Sequence, residues 1–94
     1  DLTPIRRDFA FVVDETVGAD AIVKAAKSAD KALVTEVDVF DVYQGQGIEP
    51  GQKSIAIEVT LQPHGETLKD QDIEAISQKI VAGVAKATNG VLRG

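Results

Sequence analysis

The chain has 94 residues, with 10 Lys and Arg against 15 Asp and Glu, giving a formal net charge of −5. That length suits a single small domain over 1–94, and 44% hydrophobic with 27% charged residues is a globular rather than a disordered composition. The acidic balance argues against indiscriminate binding of polyanions, which rests on neutralising phosphates, but leaves room for a local contact that reads a base. Cysteine is absent, so the chain has no disulfide, no thiolate nucleophile and no cysteine-based metal site, which fits the cytosol. No apolar run approaches the roughly 20 residues of a membrane-spanning helix, and no signal peptide opens the chain. Without an initiator Met, the sequence reads as a processed or excised piece.

The segment Arg7–Val13 alternates as a strand does, with Phe9, Phe11 and Val13 on one face and Asp8, Ala10 and Val12 on the other. Asp14 to Gly18 breaks that pattern. From Ala19 the period becomes helical. Ala19, Ile22, Ala25, Ala26 and Ala29 fall on one side, opposite Asp20, Lys24 and Lys27, with fraying expected near Asp30–Lys31. Val34–Tyr43 reads as a second strand and residues 44–52 as a loop carrying three glycines and a proline. Lys53–Gln62 is the clearest strand, in which Ile55, Ile57, Val59 and Leu61 alternate with Ser54, Ala56, Glu58 and Thr60. The short loop predicts an antiparallel hairpin between these two strands.

Thr67-Leu68-Lys69-Asp70 resembles a capping box, and Asp70, Asp72 and Glu74 suit the positive end of a helix. Ile73, Ile76, Ile80, Val81 and Val84 then recur on one stripe. Asn89-Gly90 predicts the stop, with Gly in the left-handed conformation, before a short last strand at Val91–Leu92. The order β-α-β-β-α-β predicts a ferredoxin-like α+β sandwich, in which an antiparallel four-stranded sheet carries two helices on one face. The other face stays open.

Strand parity assigns residues to that open face. Ala10, Asp41, Tyr43 and Ser54 point outward near the glycine loop, whereas Phe40 and Val42 point inward and Val39 outward. An aromatic ring, a carboxylate, a hydroxyl and a small residue are the parts of a candidate nucleobase cradle, beside the plainer readings of Tyr43 as a half-buried packing residue and Asp41 as a charge that blunts a strand edge. Stacking on Tyr43 is worth about 1–3 kcal/mol. Other polar groups have plainer readings. His64, between Pro63 and Gly65, is a surface turn residue. Asp70 and Glu74 share a helix face that Asp72 does not, so helix-end electrostatics explains them without a metal ion. Lys53-Ser54 leads into a strand and so does not end a phosphate-binding loop. No catalytic triad can be assembled around one turn histidine.

Arg6-Arg7-Asp8, Phe40-Asp41-Val42-Tyr43-Gln44-Gly45, Gly51-Gln52-Lys53-Ser54 and Thr67-Leu68-Lys69-Asp70 together resemble the ferredoxin-fold anticodon-binding domain. In bacteria that domain closes the β subunit of phenylalanyl-tRNA synthetase. The resemblance runs from Arg6 to Arg93. It implies that the open face receives the anticodon stem-loop of tRNA(Phe), whose first anticodon base is guanine, far from the catalytic centre. By position, Tyr43 is then the stacking platform, Asp41 the acceptor for guanine's donors, Ser54 a hydroxyl contact and Ala10 a low floor. Arg6, Arg7, Lys53 and Arg93 are implied phosphate contacts. The domain itself needs no cofactor or metal. ATP and Mg²⁺ serve the parent ligase, a cytoplasmic enzyme in which the rest of the β subunit and the α subunit are partners. Glu66 stands where the family commonly has a basic residue, and Lys69 where it commonly has Thr or an acid.

Three other uses of the fold predict different features. A small-molecule regulatory module needs a pocket, usually between paired sheets. An acylphosphatase-like enzyme needs an arginine-bearing phosphate cradle after the first strand, where this chain has Asp14-Glu15-Thr16-Val17-Gly18. A protein-docking domain would use the open face against another chain.

Overall fold

A computed structural model describes residues 2–93. The elements run β1 (Ile5–Asp14), α1 (Ala19–Ala29), β2 (Val34–Tyr43), β3 (Gln52–Leu61), α2 (Asp70–Thr88) and β4 (Val91–Leu92). The sheet has the order β2-β3-β1-β4 with every neighbouring pair antiparallel. This is the ferredoxin-like α+β arrangement that the element order predicts.

The core follows from the strand alternation. Phe9, Phe11 and Val13 on β1 and Ile55, Ile57, Val59 and Leu61 on β3 are buried. They pack with Ile22 and Ala26 of α1 and Ile73, Ile76, Ile80 and Val84 of α2 in one cluster. Phe9 and Phe11, two residues apart and thus on one face, lie with near-parallel rings 6.1 Å apart. Small alanines on α1 let that helix sit close to the sheet, and Asp20 and Lys27 complement the dipole at its two ends. Its end is set by Asp30, whose carboxylate accepts the amides of Ala32 at 3.1 Å and Leu33 at 3.0 Å.

Three expectations are corrected. The N-cap of α2 is Lys69, not Thr67. Its amide donates to the Asp72 carboxylate at 2.9 Å, while a lysine side chain has nothing to accept with, so only half of a capping box forms. At the other end, the left-handed residue is Asn89 (φ 63°), not Gly90. Gly90 is required for space instead. A Cβ there would lie 2.9 Å from Val13 Cγ1 and 3.1 Å from Val84 Cγ1.

The third correction concerns β2. Its pairing with β3 slips once between Val34 and Glu36 and once between Val39 and Asp41. Phe40 is therefore an inserted bulge residue, 57% exposed. Val39 pairs with Ile57 and so lies on the helix side, opposite to the expectation, because a single inserted residue inverts parity. Val42 pairs with Ile55 and keeps its predicted side but stays exposed, because β2 is an edge strand. Val34 and Val37 are the β2 residues that reach the core.

Candidate functional site

The register lays out the open face as rows of side chains, since directly paired residues in antiparallel strands project to one side. One row reads Tyr43, Ser54, Val12 and Val91 from edge to edge. The next begins Asp41, Ala56 and Ala10, and the Arg93 amide continues it by donating to the Ala10 carbonyl at 2.6 Å. Beyond lie Asp38, Glu58 and Asp8, and then Glu36, Thr60 and Arg6. The bulge at Phe40 leaves Asp41 and Tyr43 on the open face together with Ser54 and Ala10. Parity alone places those four residues correctly.

Their accessibility differs. Asp41 is exposed, Ala10 half-buried and Tyr43 37% exposed. Ser54 is only 3% exposed, because it sits on an inner strand between the larger Tyr43 and Val12. Facing the open side is thus not the same as being accessible there. Ala56 completes a floor of two small residues between Asp41 and the β4 edge. The alternation of β3 marks it as outward, but its place between Ala10 and Asp41 depends on strand order.

Tyr43 is held in place. Its hydroxyl donates to the Gln46 carbonyl at 2.9 Å. Gly45, at φ 143°, lets the loop turn against the ring, where a Cβ would come within 3.1 Å of the phenol oxygen. The Arg93 guanidinium carbon lies 5.8 Å from the ring centroid, a cation–π arrangement.

The expected phosphate contacts divide. Arg93 is at the cradle. Arg6 is on the same face but at the far end, 3.9 Å from the Glu58 carboxylate. Arg7 pairs with Val59 and Lys53 with Val13, so both start on the helix side, away from Tyr43. Alternation separates Arg7 from Arg6 and Lys53 from Ser54, which adjacency in sequence conceals. The carboxylates of Asp8, Asp38 and Glu58 make the far part of the open face unfavourable for a phosphate chain. The end bearing Tyr43 and Arg93 is the less acidic part of that face, since its rows carry Asp41 as their one carboxylate.

The turn after β1 binds its own carboxylate. Asp14 accepts the Thr16 hydroxyl at 2.6 Å and the Thr16 amide at 3.2 Å. Those bonds, the hydroxyl first, hold the Asp14 carboxyl below its ordinary value of 3.8 against the opposing effect of burial, and Lys53 adds a smaller lowering. An acylphosphatase would need this turn free for phosphate. Because the folded pKa is depressed, the stabilising effect is present above pH 3.8 and is lost as pH falls through the folded value. Thr16→Val is expected to return the Asp14 pKa toward 3.8, read by carboxyl NMR titration, and to lower stability at pH 7 by more than it does below the folded Asp14 pKa. An unmoved Asp14 titration would contradict this account of the turn.

His64 is exposed, yet its Nε2–H donates to the Ala32 carbonyl at 2.8 Å and so ties the turn after β3 to the end of α1. Among the described residues, no group of three or more His, Asp or Glu is placed to hold a metal ion. Among them also, no helix is long and apolar enough to cross a membrane.

Residues 2–93 match the family described as the ferredoxin-fold anticodon binding domain. The chain is 59% identical over 93 residues to the phenylalanine–tRNA ligase beta subunit of Paramagnetospirillum magneticum, a match covering 99% of this chain and 12% of that protein. It is 60% identical over 90 residues to the same subunit of Bradyrhizobium diazoefficiens, covering 96% and 11% respectively. For the Brucella abortus subunit the identity is 57% over 90 residues, again covering 96% and 11%. The chain thus spans about an eighth or less of the length of these curated relatives.

Proposed function

Because this chain belongs to the ferredoxin-fold anticodon binding domain family, we propose that its open sheet face receives the anticodon stem-loop of tRNA(Phe) and reads its first base, a guanine. The observation that carries this reading is the convergence of Tyr43, Asp41, Ser54 and Ala10 at one end of the uncovered face. Tyr43 supplies a ring held at its hydroxyl, on which an unpaired base stacks. Asp41 accepts from the two donors on guanine's Watson–Crick edge, where adenine offers no matching pair. Ala10 and Ala56 keep the floor low, and Ser54 adds a hydroxyl once the base parts the side chains around it.

The parent is then the β subunit of phenylalanine–tRNA ligase, a cytoplasmic enzyme, with the remainder of that subunit and the α subunit as protein partners. ATP and Mg²⁺ serve its aminoacylation chemistry, which this domain supports by positioning tRNA rather than by holding either cofactor. The domain's own charge of −5 adds little to affinity for a polyanion. Tethering to other tRNA-binding surfaces of the ligase raises the local concentration and makes up the difference.

NMR titration with an anticodon stem-loop, carrying guanine or adenine as the first anticodon base, tests the reading. The guanine form is expected to shift the Tyr43 and Ser54 signals and the adenine form to leave them nearly in place. Equal shifts from both, or shifts confined to the helices, would remove the open face from the proposal.

A further inference from the structure

Arg93 lies on the open face beside Tyr43 and across the sheet from Asp41. Its backbone is fixed to Ala10 by a 2.6 Å hydrogen bond, which makes it the β4 end of the row whose β2 end is Asp41. Between these opposite charges lie only Ala10 and Ala56. Across the four strands the row spans about 14 Å, from the usual spacing of about 4.8 Å between neighbours. A purine with a hydrogen bond at each edge fills much of that span once the two side chains reach inward. The guanidinium has already reached inward, to 5.8 Å from the Tyr43 ring centroid. It lies under the glycine loop, where a Cβ on Gly47 would be 3.8 Å from its Nη2. Among the described residues the ion pair found is that of Arg6 with Glu58, so none of their carboxylates is paired with Arg93.

We propose that Arg93 is a second base-reading residue, whose guanidinium rests on Tyr43 in the free domain and donates to the O6 and N7 acceptors of guanine in the complex. The inference rests on the anticodon reading above and adds a specificity role to it. Asp41 and Arg93 then address different edges of the same base, one the donor edge and the other the acceptor edge. Adenine fails at both, because it lacks guanine's pair of Watson–Crick donors and presents an amino group where guanine has O6. A guanidinium suits the task because its planar fork meets O6 and N7 together and also stacks on an aromatic ring, whereas an ammonium does neither as well.

The test compares dissociation constants of the 94-residue chain for stem-loops carrying guanine, adenine or 7-deazaguanine as the first anticodon base. Arg93→Ala is expected to reduce the preference for guanine over adenine about tenfold. Arg93→Lys is expected to recover overall affinity but not that preference. The penalty for 7-deazaguanine, seen with the unaltered chain, is expected to vanish in Arg93→Ala. A role in phosphate contact alone predicts something else: both stem-loops weaken equally, the salt dependence falls by about 0.7 in log–log slope, and Lys restores everything. That pattern would overturn the proposal while leaving the anticodon reading intact, provided Asp41→Asn still abolishes the guanine preference. If the unaltered chain shows no preference and Tyr43→Ala binds as tightly, the anticodon reading itself fails.

Discussion

On the proposed anticodon reading, Tyr43→Ala in the full-length protein is expected to lower the efficiency of tRNA charging by about one to two orders of magnitude, from the loss of roughly 1–3 kcal/mol of stacking. Amino-acid activation, followed by ATP–pyrophosphate exchange, is expected to stay unchanged. Asp41→Ala should act in the same direction and on the same assay, and should also flatten the response to the first anticodon base. Neither change should unfold the domain. Asp41 is exposed and Tyr43 is 37% exposed, and surface changes away from core packing cost little stability. The split between the two assays is the diagnostic result. A parallel fall in activation would mean that the substitutions act through misfolding or through another part of the enzyme.

The second large effect falls on stability. Phe11 is fully buried on an inner strand, beside Phe9 and in the cluster with Ile55 and Ile57. Phe11→Ala is expected to cost about 3–5 kcal/mol, through lost burial and the cavity left behind. Small domains hold only about 5–15 kcal/mol in all. The urea midpoint should therefore drop sharply with little change in slope. Phe40→Ala is the internal control. At 57% exposure on the bulge, Phe40 is expected to cost less than about 0.5 kcal/mol. Comparable losses at the two phenylalanines would contradict the burial difference on which the core is drawn.

These two results probe opposite faces of one sheet, which share strands but not residues. On β1, Phe9, Phe11 and Val13 go to the core while Asp8, Ala10 and Val12 go to the open face. The period of two builds the interior and the open face from a single stretch of chain. It also explains the scatter of basic residues that adjacency in sequence had grouped together. Arg6 and Arg7 are neighbours in the chain and belong to opposite sides of the domain.

What the sequence by itself determined is whatever depends on local periodicity. The alternation of β3, the alanine-lined stripe of α1 and the isoleucine stripe of α2 are each legible within ten to twenty residues. Two helices with one apolar stripe apiece leave one sheet face uncovered. The open-face placement of Ala10, Ser54, Asp41 and Tyr43 could be read for the same reason, since parity on β1, β3 and the end of β2 puts them outward. Tertiary structure alone decided what depends on chains meeting across the sheet. The bulge at Phe40 moves Val39 to the helix side, because one residue without a partner inverts the side chains from there back to the second slip, between Val34 and Glu36. The near-complete burial of Ser54 comes from its neighbours on other strands. Arg93 reaches the Tyr43 ring although β4 and β2 are opposite edges, because Ala10 and Ala56 leave the space between them bare. Such contacts join residues fifty positions apart, and no local pattern in the chain encodes which small side chains will lie beneath them.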